Sequence, residues 1–200
     1  HGQSDRLANR QPDGFAHGSE LVAFIRHGGW PFCVAGACYP EGHVECADKA
    51  HHGQTRISGE PYIVHPLATA KILADLKLPI PIVIAGLLHD VPEDTKVTLD
   101  DVRKNFGDDI ASMVAGITKL GKIKYRGMER YVENLRKMFV AMASDVRVIL
   151  IKFADRIHNL ETLGAIPPEK QRRIALETLE IYAPIANRLG MNEIRSRIED

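Results

Sequence analysis

The stretch that decides the fold is residues 80–94, Ile80-Pro-Ile-Val-Ile-Ala-Gly-Leu-Leu-His-Asp-Val-Pro-Glu-Asp94. Its first nine residues are uncharged and almost all apolar, so we predict a buried helix that runs through the whole stretch. The helix would deliver an imidazole, His89, and a carboxylate, Asp90, to the protein core. A buried carboxylate is costly unless it is paired or bound to a metal ion. A core histidine hydrogen-bonded to its neighbour would give the same local pattern.

Apolar residues recur at helical spacing from Val44 almost to residue 200. This periodicity, with its Gly and Pro boundaries, predicts helices over 44–52, 66–76, 80–94, 98–105, 108–119, 128–143, 145–163, 168–189 and 192–199. No stretch shows convincing strand alternation, so the predicted fold class is all-α, a helical bundle. Residues 1–43 are rich in Gly, Pro and His, which is typical of loops. We therefore expect an irregular, flexible N-terminal segment at 1–43 and a helical domain at 44–200.

The composition narrows the class of partner. Lys and Arg number 26 against 26 Asp and Glu, whereas a general DNA-binding protein usually carries a basic excess. A local basic pocket for a phosphorylated small molecule stays open. Without a run of about 18 apolar residues or a basic segment leading into an apolar one, we expect no DNA partner, no membrane and a cytoplasmic location.

The three cysteines lie in the first quarter of the chain and do not form a pattern typical of a disulfide framework. Cys33, Cys38, His43 and Cys46 could make a small zinc site. Their irregular spacing favours unpaired thiols instead.

A second polar pattern lies on residues 146–163, an otherwise apolar helix. Asp155, Asn159 and Thr162 stand at i, i+4 and i+7, which places them on one face. A narrow polar stripe on a core helix indicates a lined pocket. A solvated stripe on a partly exposed helix is the alternative.

A third pattern is the loop from Arg56 to Pro66, which carries Arg56 and Ser58 and ends in His65 at the start of a predicted helix. Free backbone N–H groups at a helix N-terminus favour phosphate. An ordinary turn with a capping histidine fits the same residues.

Taken together, the patterns supply two imidazoles and two carboxylates, from His65, His89, Asp90 and Asp155. Mixed nitrogen and oxygen ligands suit a divalent ion such as Mn²⁺. Because no thiolate belongs to the set, a structural zinc site is disfavoured.

Two further carboxylates, Glu93 and Asp94, follow His89 and Asp90 by four residues each. On a continuous helix they would face the metal and could act on its water. A solvated acidic helix end is the alternative. Pro92 disfavours an uninterrupted helix, so we expect a bend or an end there.

Four segments closely resemble the hydrolase domain of RelA/SpoT homologues, in the order found in that family. They are Gln54–Pro66, Leu87–Thr95, Gly116–Lys122 and Lys152–Asn159. The segment Glu180–Gly190 is similar to the stretch that leads out of that domain.

The resemblance implies an HD-superfamily helical bundle that uses Mn²⁺ to hydrolyse the 3′-pyrophosphate of guanosine tetra- and pentaphosphate, (p)ppGpp, to GDP or GTP plus pyrophosphate. It also implies a guanine nucleotide as partner and, in longer members, a C-terminal synthetase and regulatory region. By motif position it assigns metal ligation to His65, His89, Asp90 and Asp155, water activation to Glu93 and Asp94, and nucleotide contacts to Arg56, Ser58, Asn159 and Thr162.

Two residues depart from the family pattern. Pro92 stands where an apolar β-branched residue is usual, and Ile57 replaces a usual lysine. These departures keep two alternatives open, an HD phosphohydrolase of another nucleotide and an alarmone-binding module that has lost turnover.

Overall fold

The protein is helical, as predicted. A computed structural model describes residues 32–34, 37–39, 41–121 and 128–199. Its α-helices are α1 (Glu41–Ala50), α2 (Val64–Asp75), α3 (Ile80–Leu87), α4 (Val91–Asp94), α5 (Leu99–Gly121), α6 (Met128–Ser144), α7 (Arg147–Glu161), α8 (Pro168–Glu177), α9 (Ala183–Arg188) and α10 (Asn192–Glu199). A 3₁₀ turn, Leu163–Ala165, follows α7, and a π-helical turn, Thr178–Tyr182, interrupts the single helix predicted over 168–189.

Two short strands lie in the segment that was predicted to be irregular. β1 (Phe32–Val34) pairs antiparallel with β2 (Ala37–Tyr39). Each strand has three residues, too few to show the alternation by which a strand is predicted from sequence. The first helix also begins at Glu41, three residues earlier than predicted.

The core is built around α2, α3, α5 and α7. Helix α2 packs against α3 and α7, and α5 packs against the same two helices. Fully buried Leu73, Leu88, Met113 and Phe153 fill the space between them. Among the described residues, no helix is both long and apolar enough to cross a membrane.

The helix predicted over 80–94 is divided in two, and the break comes before Pro92, where a bend or an end was expected. Helix α3 ends at Leu87, and a separate turn, α4, begins at Val91. The Leu88 carbonyl accepts a hydrogen bond from the N–H of Val91 at 3.1 Å, so no bond is lost at Pro92. Pro92 lies in the first turn of α4, where its missing N–H has no helical partner to lose. His89 and Asp90 therefore lie in the connection between two helices.

Helix α5 joins the two helices predicted over 98–105 and 108–119. Gly107 has φ 86° and ψ 169°, and the chain kinks there. At the start of α5, Thr98 Oγ1 accepts a hydrogen bond from the Asp101 N–H, and Asp101 Oδ2 accepts one from the Thr98 N–H. This reciprocal cap confirms the predicted helix start.

The ion pairs of Arg147 allow a test of how α7 is held against α5. Arg147 donates to Asp109 on α5 and to Asp145, and it lowers the pKa of both carboxyl groups below 3.8. We expect Arg147→Met to lower the free energy of unfolding by about 1 kcal/mol at pH 7, a value limited by solvent screening.

The pH dependence has a definite sign, because a lowered carboxyl pKa stabilises the folded state above the unfolded pKa. The difference between wild type and Arg147→Met should shrink as the pH falls through the lowered pKa values. Urea unfolding from pH 7 downward measures it. Arg173→Met, at an exposed site with no ion pair to a described residue, serves as control. A difference that is constant with pH would contradict the ion-pair explanation.

Candidate metal centre and adjoining cavity

The four predicted metal ligands come from three parts of the fold; His65, His89 and Asp155 meet at one point, and Asp90 lies beside them. His65 lies in the first turn of α2, His89 and Asp90 lie between α3 and α4, and Asp155 lies on α7. His65 Nε2 is 3.2 Å from Asp155 Oδ1 and 3.5 Å from Asp90 Oδ2. The imidazole centroids of His65 and His89 are 5.2 Å apart. Ligand atoms of His65, His89 and Asp155 all lie within 4.8 Å of one another, close enough to share one ion.

His89 provides the test of whether a metal ion fits. Its Nδ1 lies 2.7 Å from the Gly86 carbonyl oxygen, so Nδ1–H donates there and Nε2 is the ring nitrogen that faces the centre. Nε2 is buried without a hydrogen-bond partner, although it lies 3.1 Å from Asp90 Oδ1 and 3.9 Å from Asp155 Oδ1. A buried nitrogen acceptor beside two carboxylates suits a divalent cation, and backbone support of the other ring nitrogen is typical of a metal ligand.

The electrostatics of the centre couple imidazole to carboxylate. Burial alone would lower the pKa of His89, but the charges of Asp90 and Asp155 outweigh burial and raise this pKa to about 9. Burial opposes ionisation of Asp90 as well, and the neighbouring imidazoles still hold its pKa well below the usual range. A divalent cation bound here would take over the charge balance from the imidazole proton.

Asp155 is held on both of its oxygen atoms. Lys152 Nζ donates to Oδ2 at 2.7 Å, and Asn159 Nδ2 donates to Oδ1 at 2.6 Å. Burial alone would raise the pKa of Asp155 and lower the pKa of Lys152. The attraction between the two charges outweighs burial, so the pKa of Asp155 is lowered and the pKa of Lys152 is raised. Sequence analysis missed Lys152, although a lysine in an apolar run three residues before Asp155 was a usable signal.

Glu93 and Asp94 lie in different surroundings. Glu93 lines a cavity beside the centre, where burial first and then the Asp90 charge raise its pKa. Asp94 Oδ2 accepts a hydrogen bond from the Tyr62 hydroxyl at 2.6 Å, and the Asp94 carbonyl accepts one from Gln54 at 2.7 Å. The Tyr62 hydroxyl is also 3.0 Å from Asp90 Oδ2. Tyr62, another residue that sequence analysis missed, thus connects Asp94 to the centre.

The cavity has a volume of about 460 Å³, within the usual range for a small-molecule site. Its wall includes all four predicted nucleotide contacts, which are Arg56, Ser58, Asn159 and Thr162. Ile57, Ala165, Ile166 and Ile174 form apolar parts of the same wall. The cavity therefore joins a candidate metal centre to a pocket with polar and apolar surfaces.

Arg56 is placed by a tight turn. The Arg56 carbonyl accepts a hydrogen bond from the N–H of Gly59, whose φ of 85° favours glycine. The guanidinium then reaches α7, where NH2 donates to Asn159 Oδ1 at 2.9 Å and NH1 lies 3.2 Å from His158 Nδ1. The turn thus directs a cation to the cavity.

His158 is the third residue that sequence analysis missed. It is buried on α7, and its Nδ1 lies 2.7 Å from His65 Nδ1. Burial first, and then the neighbouring His65 and Arg56, lower the pKa of His158 to about 3. Its imidazole is therefore neutral at physiological pH.

Comparison with known proteins agrees with this arrangement. A sequence profile described as "HD domain" matches residues 44–192. The chain belongs to the HD domain family. The chain is also similar to bacterial proteins that act on guanine nucleotides by name. The bifunctional (p)ppGpp synthase/hydrolase SpoT of Escherichia coli K12 is 55% identical over 155 residues, which are 77% of this chain and 22% of that protein.

Other relatives are similar over the same share of the chain. The guanosine-3′,5′-bis(diphosphate) 3′-pyrophosphohydrolase of Vibrio cholerae is 55% identical over 155 residues, 77% of this chain and 22% of that protein. The GTP pyrophosphokinase of Streptomyces antibioticus is 53% identical over 156 residues, 78% of this chain and 18% of that protein. The chain thus spans about a fifth of the length of these relatives. The predicted resemblance to RelA/SpoT homologues is confirmed.

A solved structure is similar to the HD domain in fold. It belongs to a metazoan ortholog of SpoT that is described as hydrolysing ppGpp. The TM-score is 0.61 at 25% sequence identity, with 82% of this chain and 93% of that chain covered.

The Lys152–Asp155 pair of the HD domain leads to a stability prediction. We expect Lys152→Met to lower the free energy of unfolding by about 3 kcal/mol, because removing one partner leaves the other charge buried and unpaired. Adding Asp155→Asn to the Lys152→Met variant should restore much of the lost free energy of unfolding. Urea unfolding with a chelator present measures both. Lys96→Met, at an exposed lysine, is the control. Additive losses in the double variant would show that the pairing is unimportant.

Proposed function

We propose that this domain hydrolyses the 3′-pyrophosphate of (p)ppGpp, with GDP or GTP and pyrophosphate as products. The observation that carries the proposal is the joining of the His65–His89–Asp155 centre to a cavity lined by Arg56 and Asn159. The naming of relatives as SpoT and as 3′-pyrophosphohydrolases supports the choice of substrate. Because the matched stretch is about a fifth of the length of those relatives, the activity is proposed for the domain alone.

His65, His89, Asp90 and Asp155 would hold a divalent ion, for which we propose Mn²⁺ because the ligand set mixes imidazole and carboxylate. When bound, such an ion makes water a better nucleophile and offsets charge that develops on a phosphate oxygen. The chain itself contributes the orientation of these four groups. Lys152 and Asn159 fix Asp155, and the Gly86 carbonyl fixes His89.

We assign proton transfer to Glu93. Its carboxylate lines the cavity, and its raised pKa makes it a better base than a glutamate with an ordinary pKa. Asp94 acts with Glu93 through the Tyr62 hydroxyl, which joins Asp94 to Asp90. Asp94 would thereby hold the orientation of Asp90 during the reaction.

The nucleotide would lie along the cavity wall. Arg56 offers a delocalised cation that matches phosphate oxygens, and the Ser58 hydroxyl lies beside it on the turn. Asn159 and Thr162 line the same cavity from α7 and the turn after it. The apolar side chains of Ile166 and Ile174 suit the face of a purine base.

One observation favours a second candidate, an HD phosphohydrolase of a less highly charged nucleotide. Ile57, 69% exposed, lines the cavity where the related family usually has a lysine. An apolar side chain there removes one positive charge from the substrate's surroundings. The product of the reaction distinguishes the two candidates, because only the first releases pyrophosphate from ppGpp.

We also propose the context of the domain. Residues 44–200 would form the hydrolase domain and residues 1–43 a segment outside it, in a cytoplasmic protein whose partner is a guanine nucleotide. The greater length of the relatives supports a synthetase and regulatory region in the same protein.

The direct test is incubation of the protein with ppGpp, with and without Mn²⁺, and chromatography of the products. We expect GDP and pyrophosphate only with the ion, and loss of activity in Asp90→Ala. Glu93→Gln should lower kcat by about 10²- to 10⁴-fold, the usual contribution of a general base. Asp94→Asn should lower kcat less than Glu93→Gln does.

Asp75→Asn is the matched control, since Asp75 forms an exposed ion pair with Lys71 at the opposite end of α2 from His65. Release of orthophosphate from mononucleotides, with ppGpp left intact, would favour the second candidate. Tight ppGpp binding without any Mn²⁺-dependent turnover would instead favour a binding module.

Restoring the missing charge tests the role of Ile57. We expect Ile57→Lys to lower the KM for ppGpp by about fivefold with kcat nearly unchanged, since an exposed charge pair contributes about 1 kcal/mol. The gain should fall with rising salt. Ile57→Met is the control, because methionine is similar in length to lysine but carries no charge. An equal effect of both substitutions would refute the charge explanation.

A further inference from the structure

His158 lies between the metal centre and the cavity but belongs to neither predicted residue set. Its side chain is buried on α7. One atom, Nδ1, is 2.7 Å from His65 Nδ1 and 3.2 Å from the Arg56 NH1 group. A single ring nitrogen thus contacts a candidate metal ligand and a candidate nucleotide contact.

The chemistry of arginine fixes the direction of both contacts. A guanidinium has only N–H donors, so the His158 Nδ1 that it contacts must be an acceptor. A proton on that nitrogen would point at the guanidinium hydrogens. Because His158 Nδ1 accepts, His65 Nδ1 must donate to it, and the two donors share one lone pair.

The donation fixes the tautomer of His65. With its proton on Nδ1, the imidazole presents the lone pair of Nε2 to the centre, where Asp155 Oδ1 is 3.2 Å away. A histidine that binds a metal through Nε2 needs this tautomer, and it usually obtains it from a carboxylate, a carbonyl or a water. His89 obtains it from the Gly86 carbonyl.

We propose that His158 is a positioning residue that holds His65 in the metal-binding tautomer and ties this ligand to Arg56. The inference rests on the metal centre of the proposed function. The neighbouring Asn159 already connects Arg56 to Asp155. The contact with His65 gives the buried His158 a separate role on the same helix.

Two substitutions separate the acceptor from the shape of the side chain. In asparagine, Oδ1 is as many bonds from Cβ as Nδ1 is in histidine, so His158→Asn keeps an acceptor at nearly the same point. His158→Leu has a similar shape there but no acceptor. The two variants therefore differ in the property that the proposal invokes.

The measurement is calorimetric titration of nucleotide-free protein with Mn²⁺. We expect His158→Leu to bind the ion about 10- to 100-fold more weakly, as is usual when the partner of a metal ligand is lost. His158→Asn should stay within about threefold of wild type. In a His65→Ala background, His158→Leu should cause no further loss. Circular dichroism and thermal melting with a chelator present check that each variant is folded.

Wild-type Mn²⁺ affinity in His158→Leu would overturn the proposal, as would equal losses in the Leu and Asn variants. If the wild type binds Mn²⁺ with the expected dependence on residue 158 but leaves ppGpp intact, the proposed function fails and this inference stands. If the wild type binds no Mn²⁺, both fail.

Discussion

The buried negative charge of Asp155 is the constraint around which the site is organised. It lies on α7, in the middle of the core, where an unpaired carboxylate would be strongly destabilising. Lys152 and Asn159 come from its own helix, and the imidazole of His65 reaches it from α2. Lys152 and Asn159 hold the carboxylate in place without any ligand. The packing of α2 against α7 then brings His65 to it, so the centre is preorganised.

The break between α3 and α4 is the second requirement. On a continuous helix, His89 and Asp90 would lie on faces about 100° apart. Ending α3 at Leu87 frees the two residues, while the Gly86 carbonyl still anchors the His89 ring. Pro92 is compatible with this arrangement because it starts α4 instead of interrupting α3.

Helical periodicity was enough to predict the common face of Asp155, Asn159 and Thr162, because the first two belong to α7 and Thr162 directly follows its last residue. His65 and His89 were grouped from their residue types and surroundings, and the resemblance to a known family then assigned both to one metal ion. A bend or an end was expected at Pro92, but its position after Leu87 was not, because the apolar run continues through Leu88. Tyr62 and His158 were missed since their roles depend on contacts with residues distant in sequence.

The contacts of Arg56 have a consequence for ligand binding. Its guanidinium reaches His158 and Asn159, and these contact His65 and Asp155 respectively. Two hydrogen-bonded routes therefore connect the cavity to two of the candidate metal ligands. A phosphate that draws Arg56 away would loosen both routes, whereas one that binds it in place would reinforce them. Since coupling between two sites is reciprocal, the ion and the nucleotide should change each other's affinity by the same factor.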